Sequence, residues 1–488
     1  MPAILVLTGD TPWFRKIVSL ALLLKVIGYS LFLANITGRD PFMDFLLITS
    51  IMVSLVVSGY AVHYSKLKYG NLDLVPLVDL FAISMILVFT SSTVLELVVF
   101  WILAELFGFL LVVYDYVATG NTLSYNSALK YLLFSMIPAD VAHFTLLALI
   151  GLEKALELSP QSIEMTLMNP VALLLVLVGS FAKAALFPLH FWLPDAHSAA
   201  PSPASALLSS VMVNMGIFAL YLHLSSHCNM NENIVVPALL LSGSITAIYG
   251  AIQASLQSDI KRLLAYSTTS NVALVALMIG LYISTEDIVF IEASIVYTIA
   301  HTLYKASLFL DTGFIENLVH ERNLRKLGYI SSIAPTETVS VLLTVLTIFG
   351  LPPSMGFLAK LFLLASIAKY LEKSWLYILV LAIVALKTSL AVVYNVNYLR
   401  AHIGRRRSVL HAEVNKGAFI LQPYVLALVL SAFLFSFMVT LFSYLDYVEF
   451  MLLRKATLIL VVTFPLLLFT IYFFTNMFKR SGTVEAPQ

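Results

Sequence analysis

Cysteine and charge are what this sequence has least of. Cys228 is its one cysteine, which excludes a disulfide framework and a thiolate metal cluster. Charged residues make up 11% of the chain, where a soluble domain carries roughly 25%. No polar stretch is long enough to form a soluble domain. A glycine-rich dinucleotide loop, a haem-ligand pair and a cysteine cluster are all missing, so no cofactor is expected in this chain. The net charge of +1 gives no electrostatic footprint for nucleic acid.

Hydrophobicity is what is present. Of 488 residues, 60% are hydrophobic, and mean hydropathy is +0.94. This composition reads as an all-α polytopic membrane protein. A spanning helix needs about 20 apolar residues. By that measure 14 transmembrane helices are expected, near 17–37, 41–63, 73–91, 92–116, 126–151, 168–193, 203–225, 234–257, 259–283, 288–314, 335–370, 375–400, 421–445 and 452–478. The first run is too long for a signal-peptide core and reads as a retained helix. The 168–193 run is interrupted near Pro188, and 335–370 is interrupted at "FGLPPSMGF" (349–357).

An even number of spans puts both termini on one side. That side collects Arg15, Lys16, Lys66, Lys68, Lys130, Lys261, Arg262, Arg322, Arg325, Lys326, Arg400, Arg405, Arg406, Arg407, Lys416, Lys479 and Arg480. The other side has only Arg39, Lys154, Lys369, Lys373, Arg454 and Lys455. The excess predicts cytoplasmic termini in a cell-membrane protein.

Basic residues also lie inside the spans: Lys25, Lys183, Lys305, Lys360 and Lys387. Lys25 can snorkel to the interface. Each of the other four costs at least about 2.5–3.5 kcal/mol at mid-bilayer, which calls for a reason. Acids join them: Glu105 in "FWILAELFGF" and Asp140 in "FSMIPADVAHF". Tyr297, His301 and Lys305 recur at four-residue spacing and share one helix face. Such a stripe passes a proton if water fills the gaps.

Lys183 and Lys360 sit in the two interrupted spans, at similar places in two five-helix blocks, 73–225 and 234–400. Five is odd, so the second block enters the membrane from the opposite side. Two inverted five-helix repeats, each with a broken helix, are the pattern of a midplane ion site. A break frees carbonyls and admits water, which lowers the cost of an ammonium. The remaining divisions are 1–72, with N-terminal helices, and 401–488, with C-terminal ones.

Four motifs, "KAALFPLHFWLPDAHSAAPSPASALLSSVMV" (183–213), "ASLQSDIKRLLAYSTTSNVALVALMIG" (254–280), "HTLYKASLFL" (301–310) and "GLPPSMGFLAKLFLL" (350–364), follow one another in the order seen in a known family. The chain resembles the antiporter-like subunits of respiratory complex I, of multisubunit sodium/proton antiporters and of archaeal membrane-bound hydrogenase-type complexes. The likeness covers roughly 41–445. "DAHSAAPSP" is closest to the hydrogenase, sulfane reductase and multisubunit antiporter branch.

The resemblance implies an ion path of Glu105, Asp140, Lys183, His301, Lys305 and Lys360, carrying protons or sodium. It implies partner membrane subunits, surrounding lipid, and a cytoplasmic redox arm holding iron–sulfur clusters. Any oxidoreductase chemistry then belongs to the complex. There are three departures from the family. The family acid directly follows a tryptophan, whereas here Ile102 follows Trp101 and the acid is Glu105, one turn on. The helix after the first break offers Ser209, Ser210 and Asn214 where many members titrate. One N-terminal helix is missing before 40–65.

Blander readings stand beside these. Lys183 and Lys360 are otherwise caps of broken helices, and Glu105 a static salt-bridge partner. Asp140 is otherwise a helix–helix hydrogen-bond group with His143 as its local partner, and His301 a satisfied structural histidine. Lys387 reads as structural pairing and Glu292 as an interfacial anchor. Pro194, Asp195, His197 and Pro201 shape a loop. Arg405–Arg407 reads as a topology signal or a contact to a cytoplasmic subunit, and 452–478 as packing against a neighbour.

A buried ammonium is disfavoured by desolvation and favoured by a nearby carboxylate. At an effective dielectric of about 20, drawing the two apart from about 4 to about 8 Å weakens their attraction by roughly 2 kcal/mol. That is enough to switch a poised group. With the resemblance, this implies an ion-translocating subunit of a redox-driven complex. The alternatives are a non-redox multisubunit antiporter, a stand-alone solute symporter, and a scaffold whose path is interrupted at Asn214.

Overall fold

The computed structural model describes residues 41–160, 163–224, 232–404 and 414–444. The expected first and last spans, Lys25 and Arg405–Arg407 lie outside the described residues. The fold is all-helical. Its principal helices are α1 (Pro41–Tyr69), α2 (Leu74–Thr90), α3 (Val94–Thr119), α4 (Thr122–Ile150), α5 (Pro170–Lys183), α6 (Trp192–Ala199), α7 (Ser202–His223), α8 (Glu232–Leu256), α9 (Ile260–Thr285), α10 (Val289–Val319), α11 (Pro335–Phe349), α12 (Met355–Ala368), α13 (Trp375–Ile403) and α14 (Gln422–Tyr444). Eight of the described helices are long and apolar enough to cross a membrane.

Local chemistry sets the ends. Thr93 caps α3 by accepting from Glu96 N at 3.2 Å, and Asp259 caps α9 by accepting from Arg262 N at 2.9 Å. Pro170 and Pro335 open α5 and α11, where a missing N–H costs nothing.

Both interruptions occur where expected, with one refinement. The first begins before Pro188: α5 stops at Lys183, and Ala185 takes φ +52°. The second follows Phe349, where Gly350 takes φ +75°. Two features left no signal in the sequence. α4 and α7 each contain a π-helical turn, at Leu132–Met136 and Leu208–Met212. Such turns re-aim side chains and often mark functional sites.

α10 is the axis of the molecule. It packs against α1, α7, α9, α11, α12 and α14, and only Val289, Glu292 and Glu316 of its 31 residues escape full burial. It can therefore hold polar groups away from lipid.

The basic-rich loops meet on one face. Lys68 pairs with Asp115 (3.2 Å), Arg262 with Asp195 (3.0 Å), Lys261 with Glu316 (3.1 Å) and Arg322 with Asp259 (3.0 Å), and Lys130 also reaches Asp195. These contacts put the α1–α2, α3–α4, α6–α7, α8–α9 and α10–α11 connections together, as the span count requires. Pro194, Asp195 and His197, expected in a loop, lie in the short helix α6, and Asp195 pins that helix to α4 and α9. At the opposite face Lys369 pairs with Asp287 at 2.5 Å. α5 runs inward from this opposite face, and α11 runs inward from the basic one.

Candidate functional site

The first cluster forms at the end of α5. Lys183 Nζ lies 2.6 Å from Glu105 Oε1, and both side chains are 0% exposed. Ser135, from the π turn of α4, accepts from Lys183 at 3.4 Å. The Tyr131 and Trp101 rings lie 5.5 and 5.9 Å from the ammonium. The Asp140 carboxyl lies against Glu105. His143 instead packs its ring on Trp101 with centroids 4.6 Å apart, so the Asp140–His143 pairing is replaced by a carboxyl pair. Glu105 reaches Lys183 although it stands one turn beyond the usual place, because a turn shifts the group only about 5 Å along the axis.

The break around Lys183 is held by neighbours. Trp192 Nε1 donates to Ala182 O at 2.8 Å. Thr246 on α8 accepts from Phe187 N at 2.8 Å, and Ser242 donates to Phe187 O at 2.6 Å. Gly216 of α7 lies against Ser180 O and the Ala184 backbone, where a Cβ has no room.

The second cluster lies on α10. Lys305 Nζ donates to Leu264 O at 2.9 Å and to Ser267 Oγ, both on α9. His301 lies one turn away, and among the described residues its Nε2 has no hydrogen-bond partner. Tyr297 OH donates to Asn271 Oδ1 at 2.7 Å, and Lys387 donates to both, at 2.6 Å to Asn271 and 2.8 Å to Tyr297. Lys387 is thus hydrogen-bonded to the Tyr297 end of the α10 stripe, directly and through an asparagine on α9. It stands within electrostatic reach of both Lys305 and Lys360.

The third station is Lys360 on α12, which donates to Ile348 O at 2.8 Å and Phe349 O at 3.0 Å, the last carbonyls of α11. A Cβ on Gly350 would lie 2.7 Å from Lys360 Cδ, so glycine is what lets the lysine stem pass.

One gap remains. Lys183 and His301 are not in contact. Between them Asn214 donates to Thr302 Oγ1 (2.9 Å) and to Ser210 O (2.6 Å), while Ser209 bonds Thr268 at 2.6 Å. These hydroxyls and the amide tie α7 to α9 and α10, with no titrating group among them. Sequence reasoning missed Ser135, Ser267 and Asn271. The last two lie inside the quoted "LAYSTTSNVAL", whose density of small polar residues in a span was the available signal. Among the described residues no group of three or more His, Cys, Asp or Glu could hold a metal ion.

The profile of the family described as "NADH:quinone oxidoreductase/Mrp antiporter, TM" matches residues 80–387. The chain belongs to that family. It is thus a multi-pass membrane protein, and the matched region contains every expected path residue. It is 31% identical over 325 residues to a Staphylococcus saprophyticus protein named "Putative antiporter subunit mnhA2", covering 63% of this chain and 40% of that one. It is 30% identical to the Escherichia coli K12 "Hydrogenase-4 component B", covering 66% and 50%. It is 28% identical to the Dugong dugon "NADH-ubiquinone oxidoreductase chain 5", covering 82% and 64%. The chain thus spans 40%, 50% and 64% of the length of these three relatives. The Mrp complex of Dietzia sp. DQ12-45-1b shares the fold, with a TM-score of 0.69 at 23% identity, over 87% of this chain and 48% of that one.

Proposed function

We propose that this chain is an antiporter-like, ion-translocating subunit of a redox-driven membrane complex of the hydrogenase, sulfane reductase or complex I type. The observation that carries the reading is the fully buried Glu105–Lys183 pair beside a broken helix, in line with three further lysines. Three buried lysines, Lys183, Lys305 and Lys387, and the partly buried Lys360 are each costly in a lipid-embedded fold. The ion is a proton, relayed from Lys183 through water and the Asn214–Thr302 bridge to His301 and Lys305. From there it passes Lys387 and Tyr297 to Lys360 and the far side. Closing the Glu105–Lys183 pair favours the ammonium, and opening it favours release.

Residues 73–225 and 234–400 act as inverted repeats, each with its fourth helix broken. In support, α5 and α11 enter the membrane from opposite faces. The basic face is cytoplasmic, so both termini are cytoplasmic and the protein sits in the cell membrane. Partner subunits carry the iron–sulfur clusters and move the Glu105–Lys183 pair.

The test has two parts. Gentle purification of the native complex should bring down iron–sulfur subunits; small membrane partners alone would favour a non-redox sodium/proton antiporter. Reconstituted proton flux should collapse in Lys183→Ala and Lys360→Ala complexes. Wild-type flux in both would leave only a scaffold with an interrupted path.

A further inference from the structure

A second buried carboxyl pair lies outside this line. Asp311 on α10 and Glu337 on α11 face each other, both 0% exposed. Among the described residues nothing donates to either Glu337 oxygen or to Asp311 Oδ1. The other Asp311 oxygen accepts from Tyr398 OH at 2.5 Å and meets His402 Nε2 at 3.1 Å, both on α13. Thr338 lies 3.4 Å from His402 Nδ1. Two carboxylates in contact cannot both stay ionised in a low dielectric. A proton held between them supplies the missing donor.

The pair has a polar neighbour on each side. Toward the basic face, a cavity of about 530 Å³ is lined by Lys68, Asp259, Glu316, Glu321 and Arg322. Tyr60 on α1 stands between, donating to Leu310 O at 2.7 Å within electrostatic reach of Asp311, Glu337 and Glu316. Bare Gly313 makes its room, since a Cβ there would meet Ser202 Cβ at 2.6 Å and the Tyr60 hydroxyl. Toward the membrane centre, Glu337, Ser340, Thr344 and Thr347 fall on one face of α11, all buried. Ser307 of α10 bonds Thr344 at 3.3 Å. This stripe ends at Ile348 and Phe349, whose carbonyls Lys360 holds.

We infer that Asp311, Glu337 and His402 form a second proton-exchange site, which loads Lys360 directly from the vestibule on the basic face. This rests on the translocation reading and puts a second step in series with it: Lys360 turns over only when the Lys183 line and this pair have both acted, so loss of either stops flux. The carboxyl pair takes a proton from water at the vestibule and gives one up toward the neutral amine of Lys360, so the pair returns to its starting state. The step needs no other reactant.

The test uses the native complex in vesicles, with Lys183→Ala as reference. Glu337→Gln keeps the shape but cannot exchange a proton. Its proton flux should fall by about a hundredfold, as loss of a positioned acid–base group does, while Glu337→Asp should recover much of it. Infrared spectra of the wild-type complex at neutral pH should show a protonated-carboxyl band that Glu337→Gln removes. If that variant does not assemble, loss of the band in Asp311→Asn decides in the same way. Wild-type flux in Glu337→Gln with a dead Lys183→Ala overturns the second site and leaves the main path standing. Flux surviving in Lys183→Ala sinks the translocation reading itself. A band that sodium abolishes would make the pair a cation site and overturn the inference.

Discussion

The two broken helices solve one problem in different ways. At the first, Lys183 ends the segment before the break, and the indole of Trp192 takes the freed Ala182 carbonyl. The ammonium is left for the Glu105 carboxylate. At the second, Lys360 follows the break and itself takes the freed carbonyls. Among the described residues no carboxylate pairs with it, and a helix C-terminus supplies its negative end. A carboxylate can move or take up a proton, but a helix end can do neither. On the proposed translocation reading, this difference suits the first site to switching and the second to steady relay.

That contrast is easiest to break by deleting partners. Glu105→Ala leaves an unpaired buried ammonium, which typically costs about 3–5 kcal/mol. Lys360→Met removes two charged hydrogen bonds to carbonyls, about 1.5–3 kcal/mol each where they are fully desolvated, but Lys360 is only partly buried and the change leaves no unpaired charge behind. Thermal denaturation of the purified complex in detergent should therefore drop further for Glu105→Ala. Equal drops would mean that the first pair is solvated and the contrast false.

Glycine sharpens the second site. Gly120 and Gly350 share a left-handed backbone, φ +77° and +75°, but a Cβ at Gly120 meets nothing within 4 Å. Gly120→Ala should cost only the conformational strain of about 1–2 kcal/mol. Gly350→Ala should cost measurably more and also reduce flux, because it pushes on the Lys360 stem. Matching stabilities and fluxes in the two variants would show that Lys360 does not depend on that gap. Trp192→Phe probes the first site, since it keeps the ring but strips the N–H from the Ala182 carbonyl. About 1 kcal/mol of stability should be lost, with the Glu105–Lys183 pair intact. A loss of flux with no loss of stability would instead implicate the indole in the path.

Much of this layout was legible from polarity alone. A lysine in an apolar run is costly wherever it points, so Lys183, Lys305, Lys360 and Lys387 announced themselves. Prolines beside two of them marked the breaks. The direction in which each group points was not legible. The π turn at Leu132–Met136 turns Ser135 to Lys183, and no residue pattern signals such a turn. Asp140 turned to Glu105 rather than His143, because helix packing sets the partner and spacing cannot. Asp311 and Glu337 escaped notice for a plainer reason. Glu337 stands in the first turn of its helix, where acids are common surface residues, and only the packing of α10, α11 and α13 buries it.

The smallest expected effect lies at the opposite face. Lys369 and Tyr370 both donate to Asp287, at 2.5 and 2.7 Å. The Lys369 hydrogen bond, chief among the causes, holds the Asp287 carboxyl below its ordinary range. A depressed carboxylate stabilises the fold above its unfolded value, near pH 3.9, and loses that contribution as pH falls through the lower folded value. Asp287→Asn should thus melt slightly earlier than wild type at neutral pH, and the difference should fade in acid. Lys369 is solvent-exposed, so salt should shrink the difference too. A difference that persists in acid and high salt would point to backbone effects at the start of α10, where Asp287 Oδ1 also accepts from Val289 N at 3.2 Å. The opposite face would then be held by helix capping, in contrast to the ion-paired basic face.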